Sequence, residues 1–509
     1  HFLSGLILAC GLGLSSCNDS FLERNPKDQL SDVSFWKTAD DATKYATGIY
    51  LYLIEPENHT IMTDCYTDNA IPVHVGAEQG VLSAGTAVSS NPHFLQLWQA
   101  AYETIRRCQI FYEHIGEVSM NEKAKAQLTA EVQFLEAFAY HNLWKYMGGV
   151  PILDHPLQLN EPLPARSSAD ETYDYVVKLL DKAAPNLPEI RTAADHGKAS
   201  AGACYALKAR MAFYNHKYDV AEAAAEQVMQ TGKFGLYPNY GDLFQPVAET
   251  CNEILFDREY VENPKNGNEG SVIGLFFSPV DFGGWEALSP TQDMVDAYPC
   301  TDGKSIAESP LYDPAKPFEN RDPRLAYSIF WPGTTCGPMT FNNNSMGDGN
   351  HTRTGYCMRK YINPDNYGIP NYDWTNFIYI RYAEVLLTYA EARNENLSAP
   401  DAKVYNAVNQ IRKRVNLPGL EEGLSKDQMR DAIRLERRLE LAFENQRWFD
   451  LLRWGKAVEV VNKQITETEG FYDKYAFTVN KIADWQLLLP IPQSVIDNNP
   501  SVVTQNPNY

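Results

Sequence analysis

The stretch from Phe377 to Trp454 constrains the fold most. Ala383, Leu386, Leu387 and Ala390 recur at the i, i+3, i+4, i+7 spacing of a helix face turned to a core. Small Ala at two of those positions lets a second helix come close. Pro400 and Asp401 interrupt the pattern, and Val404, Ala407, Val408 and Ile411 restart it. Pro418 and Gly419 break the chain again. Ser425, with Gln428 three residues on, forms a capping box. Leu435, Leu439, Ala442 and Phe443 then carry an apolar face through an Arg/Glu-dense helix. The spacing predicts three helices with short breaks from Phe377 onward. Glu436, Glu440 and Glu444 share one stripe and would repel if left alone. Arg434, Arg437, Arg438, Arg447 and Arg453 are the nearby cations expected to neutralise them. Arg381 and Glu384, three apart on one helical face, are expected to form a further charged pair. The reading is a packed, charge-paired helical frame.

The rest of the chain supports a mainly α fold. Helical periodicity covers residues 39–53, 94–115, 122–147 and 170–187. Residues 199–233 resemble one tetratricopeptide repeat, and Phe377 to Leu417 resembles another. Stacked hairpins of this kind bury a continuous core and leave a concave face. Trp98 and His141 sit inside regular helices and read as core residues. From about Asn252 to Thr375 the periodicity disappears, and Pro, Gly, Asn and aromatic residues become dense. Ile254 to Phe256 and Val272 to Phe277 read as short strands. A second long irregular stretch runs from Glu55 to Pro92, a length that is usually functional or disordered. The expected architecture is a tetratricopeptide-repeat-like helical hairpin scaffold with a loop-rich, irregular insertion. Its parts are a helical segment at 35–251, the insertion at 252–375 and a helical segment at 376–509. Loops on a rigid frame are where binding residues concentrate.

Charge narrows the partners. The net charge of −21 and a pI near 4.9 argue against nucleic acid, which needs clustered Lys and Arg. Nine scattered Cys with no C-x-x-C pair argue against a zinc or redox motif, and most read as buried free thiols. No nucleophile elbow, Walker loop or dinucleotide fingerprint is present, and Asn342 to Asn350 does not match an EF-hand. No cofactor or metal is expected. Phe2 to Leu14 is apolar but too short to span a membrane, so residues 1–16 read as an N-terminally truncated signal peptide. Leu14-Ser15-Ser16-Cys17 resembles a lipobox. Cys17 would then be acylated, and residues 17–34 would form a polar tether.

Several motifs together resemble the SusD/RagB family. They are Ile380 to Leu387, Arg447-Trp448-Phe449-Asp450-Leu451, Leu489-Pro490-Ile491-Pro492 and the closing Thr504 to Tyr509. Phe21-Leu22-Glu23 and Phe35-Trp36 resemble the family's start. The resemblance implies an outer-membrane, surface-exposed lipoprotein of Bacteroidetes. It implies glycan binding without catalysis, at the mouth of a SusC-like TonB-dependent transporter. A peptide-binding member is the alternative. A helical glycoside hydrolase is a further one and would need two carboxylates about 5–10 Å apart. Family sites combine the long loop after the first helix with loops of the insertion, here Glu55–Pro92 and Phe282–Trp331. Flat indoles match apolar sugar faces. Trp285 and Trp331 are therefore expected as stacking platforms, Tyr66 and Tyr298 as weaker ones, and Asp68, Asn69 and His74 as polar contacts.

Overall fold

The computed structural model describes residues 35–73, 85–262, 270–343, 351–464 and 481–509. The signal segment, Cys17 and His74 lie outside the described residues. Among the described residues, the longer helices that frame the fold are α1 (Ala39–Ile49), α2 (Pro92–His114), α3 (Glu122–Met147), α4 (Ala169–Ala183), α5 (Ala201–Tyr214), α6 (Tyr218–Gln230), α7 (Tyr382–Asn396), α8 (Ala402–Arg414), α9 (Lys426–Glu440) and α10 (Arg447–Arg453). Each of α2 to α7 packs on the next, and α7 also packs on α8 and α9. Small residues line one of these approaches. Ala212, Ala221 and Ala392 meet around Phe213 where α5, α6 and α7 join. Capping boxes start α1, α4 and α9, the last through Ser425 and Gln428 as the sequence predicts. Among the described residues, no helix is long and apolar enough to cross a membrane. All seven described cysteines are free, and all but Cys251 are buried.

Eight short strands decorate this frame: β1 (Ala70–Pro72), β2 (Ile254–Arg258), β3 (Leu288–Pro290), β4 (Ile329–Phe330), β5 (Thr335–Cys336), β6 (Met339–Thr340), β7 (Cys357–Met358) and β8 (Phe377–Arg381). They form four antiparallel pairs, β1–β3, β2–β8, β4–β7 and β5–β6. Two sequence expectations change here. Phe377 to Arg381 is a fully buried strand rather than the first turn of a helix. A continuous apolar run without period is what a strand buried on both faces shows. Val272 to Phe277, read as a strand, contains a short helix at Ile273–Phe277. Gly274 lets that turn approach closely, since a Cβ there would lie 3.0 Å from the Pro370 carbonyl oxygen.

The Arg/Glu network is present, but its pairing differs from the expected one. Arg381 lies on β8 and does not pair with Glu384. Its Nε donates to Glu444 at 2.6 Å, and Nη1 donates to Glu440 at 2.6 Å and Glu253 at 2.9 Å. Arg324 reaches Glu436 at 2.6 Å and Glu440 at 3.0 Å, and Lys360 reaches Glu444 at 2.8 Å. Arg412 and Arg414 on α8 complete the set on Glu436 and Glu440. The cations for the Glu stripe thus come from β8, α8 and the insertion. The five neighbouring arginines are occupied elsewhere. Arg437 pairs with Asp450, Arg434 and Arg453 with Glu391, and Arg438 and Arg447 with Asp68. Glu384 is held instead by Arg210 of α5. On α9 the buried face is Met429, Ile433, Glu436, Arg437, Leu439 and Glu440, and Leu435 is 42% exposed. Helix α9 ends at Glu440. Phe443 and Asn445 then adopt φ values of 63° and 62°, and this reversal carries Glu444 to Arg381.

Removing Arg381 leaves Glu444, Glu440 and Glu253 short of a buried partner. Arg381→Ala is expected to cost about 3–5 kcal/mol, read as a lowered guanidinium midpoint. Arg381→Lys should recover only part, because a point charge cannot fork across three carboxylates.

Buried carboxylates shape the acid response. Burial opposes ionisation of Glu391, yet Arg453, Arg437 and Arg434 hold its carboxyl at about 2 in place of the ordinary 4.5. Its contribution is complete above pH 4.5 and is lost as pH falls through about 2. Burial pushes Glu136 the other way, to about 7, despite hydrogen bonds from Tyr175, Tyr112 and Gln109. Protonating it favours the fold as pH falls below 7. The denaturant midpoint should hold or rise from pH 7.5 to about 5, then drop steeply between about 4.5 and 2.

Candidate functional site

Two strand pairs bring the long loop and the insertion onto one surface. β1 pairs with β3, with Ala70 opposite Pro290 and Pro72 opposite Leu288. Beyond the pair, the Val73 amide donates to the Ala287 carbonyl at 3.0 Å. Arg353 donates to the Val73 carbonyl through Nη2 at 2.6 Å. The β4–β7 pair places Trp331 directly after β4 and residues 352–356 directly before β7. The Thr352 amide donates to the Glu286 carboxylate at 2.5 Å, and the Arg353 amide to Ser289 Oγ at 3.0 Å. Trp285, the end of β1, Tyr356 and Trp331 therefore belong to one continuous region.

Trp285 is 47% exposed, and its indole leans on Phe276 with ring centroids 5.0 Å apart. Its backbone is fixed, with the amide donating to the Leu275 carbonyl at 2.8 Å. The next residue, Glu286, has φ 48° and is buried. Its carboxylate accepts the amides of Val280 at 2.9 Å and Thr352 at 2.5 Å. Those bonds hold a strained turn in place and so hold the indole outward. The preceding Gly283 has φ 110°, and a Cβ there would sit 3.1 Å from Pro370 Cδ. That close approach brings Tyr367 (44% exposed) and Ile369 (43% exposed) beside the Phe282 turn. Neither residue stands out in the sequence, where the Tyr-Gly-Ile-Pro turn is the available signal. Trp331 is half-buried and stacks on Phe318 at 4.5 Å with an 11° interplanar angle. One indole face is thus covered. Tyr356 closes the cluster edge-on to Phe318, and its hydroxyl donates to Gln292 at 2.7 Å.

The other expected contacts are corrected. Tyr66 is buried edge-on against Trp448, with its hydroxyl 3.4 Å from His93 Nε2. Tyr298 is buried and donates to the Leu439 carbonyl at 3.3 Å. Neither ring can serve as a stacking platform. Asn69 is buried, donating to Asp64 at 2.6 Å and accepting from Arg438 at 2.9 Å. Asp68 is clamped by Arg447 at 2.9 and 2.8 Å and by Arg438 at 3.0 Å. Burial opposes its charge, but these two guanidinium groups hold the carboxyl at about 2. These residues anchor the loop to α9 and α10 from beneath. A polar residue in a loop reads the same in sequence whether it faces ligand or frame.

A separate cleft of about 750 Å³ opens between residues 51–55, α2 and the C-terminal segment. Tyr52, Glu55, Tyr102, Arg106, Arg258 and Asn499 line it. Trp98 touches its wall but is buried against Tyr102, in keeping with a core role. None of the residues expected as ligand contacts lines this cleft.

The fold and these motifs place the chain among known proteins. The SusD family model matches residues 252–509, and a model described as starch-binding associating with outer membrane matches residues 20–213. The chain belongs to the SusD/RagB family. A SusD-like protein of Formosa agariphila is 28% identical over 495 residues, covering 89% of this chain and 92% of that protein. A SusD-like protein structure from Bacteroides fragilis is 28% identical, with a TM-score of 0.81 over 96% of this chain and all (100%) of the other. A SusD-like carbohydrate binding protein, also from Bacteroides fragilis, is 26% identical. Its TM-score is 0.83 over 92% of this chain and 100% of that one.

The two indoles should respond differently to removal. Trp285→Ala is expected to shift the melting temperature by less than about 2 °C, because the ring is half in solvent. Trp331→Ala uncovers Phe318 and should lower it by several times that amount. A calorimetric melt of each single variant checks the contrast.

Proposed function

We propose that this chain is a non-catalytic, cell-surface glycan-binding lipoprotein, anchored through Cys17 in the outer membrane. It hands an oligosaccharide or polysaccharide to a SusC-like TonB-dependent transporter. The observation that carries the reading is Trp285. Its large apolar ring stands in solvent, backed by Phe276 and fixed by a locked turn, in a chain of the SusD family. A flat amphipathic ring of this kind matches the C–H face of a pyranose, and preorganised presentation lowers the entropic cost of binding. The exposed face of Trp331, Tyr356 and the flanking Tyr367 extend the platform. The Asp68 clamp and the Glu286 turn keep it rigid. The likeness to a carbohydrate binding protein of Bacteroides fragilis supports the same substrate class. The −21 charge favours neutral glycans over polyanionic ones.

A glycan array of neutral and acidic polysaccharides, followed by calorimetry on the hits, tests this reading. Trp285→Ala is expected to weaken binding by about 2 kcal/mol with an unchanged melting temperature. Incubation with the bound glycan should release no reducing ends. Binding that survives loss of both Trp285 and Trp331 would move the site elsewhere, the cleft beside Tyr52 being next in line. Binding to peptides and to no glycan would overturn the substrate class.

A further inference from the structure

Strand β2 carries a second cluster, separate from the aromatic surface. Asp257 lies in β2 and Glu259 follows directly after its end. The loop before α5 comes down on them. It turns at Gly197, whose φ is 77°, and a Cβ there would lie 2.5 Å from Glu259 Cδ. The positive φ favours glycine there, and a larger residue would also push the Glu259 side chain aside. The loop sets His196 Nδ1 3.3 Å from Glu259 Oε1 and 3.8 Å from Asp257 Oδ2. One ligand atom from each of the three residues lies within 4.8 Å of the other two. Tetrahedral zinc with bonds of about 2.0–2.2 Å sets its donors roughly 3.4 Å apart, close to the 3.3 and 3.8 Å separations from His196 here.

We propose that His196, Asp257 and Glu259 bind one divalent transition-metal ion of the zinc class, stapling the loop before α5 to β2. The hydrogen bonding of the cluster is incomplete. Asp257 is 1% exposed, and its Oδ1 has no hydrogen-bond partner. Its other oxygen accepts a 3.3 Å bond from Asn376 Nδ2. A third carboxylate, Glu249, stands close by with a buried, unpartnered Oε1. Three carboxylates thus face one imidazole. An imidazole donor beside carboxylates favours zinc, manganese or a similar ion over calcium or magnesium, which prefer all-oxygen sites. Glu259, with a side chain 48% exposed, gives the ion a path from solvent.

Calorimetric titration of the tag-free, dialysed chain with Zn²⁺, Mn²⁺ and Ca²⁺ tests the proposal. One Zn²⁺ per chain is expected, with a Kd below about 1 μM, and Ca²⁺ should bind far more weakly. His196→Gln and Asp257→Asn should each weaken Zn²⁺ binding at least ~30-fold while circular dichroism in EDTA matches the parent. X-ray absorption on the zinc-loaded parent should show one imidazole within an oxygen shell, a readout that does not depend on any variant folding. Absence of stoichiometric Zn²⁺ or Mn²⁺ binding overturns the proposal. So does equal preference for Ca²⁺, or full zinc affinity in His196→Gln. Glycan affinity should be the same with and without EDTA, so failure here and failure of the glycan reading are separately visible.

Discussion

The guanidinium of Arg381 is the interaction on which the other parts depend. It is buried on β8 and bonds Glu444, Glu440 and the Glu253 that precedes β2. Arg324 and Lys360 of the insertion join the same carboxylates. Five carboxylates (Asp322, Glu253, Glu436, Glu440 and Glu444) meet five cations (Arg324, Lys360, Arg381, Arg412 and Arg414). The balance matters because a buried charge left unpaired costs several kcal/mol, whereas a fully paired set roughly offsets its own desolvation. What such a network adds is registry. A greasy contact between the insertion and α9 could slide, but forked bonds to fixed carboxylates cannot.

That registry reaches the surface that carries Trp285. The insertion has little regular structure, and short two-stranded pairs are marginal by themselves. Bolted through Arg324 and Lys360 below and joined to the long loop by β1–β3, it becomes a stiff platform. The Asp68 clamp holds the loop from the other side, to α9 and α10. Asp68 and Asn69, expected from sequence as ligand contacts, therefore serve as the mounting, while the exposed indole of Trp285 rides on top.

The proposed metal site at His196, Asp257 and Glu259 extends the same logic to β2. Asp257 is registered opposite Ile378 of β8, only three residues from Arg381. An ion there would tie the loop before α5 to the strand pair that carries the hub. The frame would then be fixed by salt bridges on one side and a coordinate bond on the other.

Helix existence was legible in the sequence because apolar spacing and caps act locally. Glu122 to Met147 and the Ser425 start appear as the pattern requires. The class of fold follows from those hairpins, and the family motifs follow from the same charged residues. Strand β8 was hidden because a run of residues buried on both faces has no period to read. The ion-pair partners were hidden for a related reason. Sequence distance ranks Arg434 and Arg437 beside Glu436, whereas the tertiary fold brings Arg324 from 112 residues away to the same carboxylate. Loop residues divide in the same manner. Trp285 and Tyr298 are both aromatic residues outside helices, yet one stands in solvent and the other is wholly buried against α9. The sequence by itself determined the helices, their hairpin order and the abundance of charge. Which charges meet, and which aromatic ring stands in solvent, was decided only by tertiary structure, because burial depends on what packs above a residue and not on its neighbours along the chain.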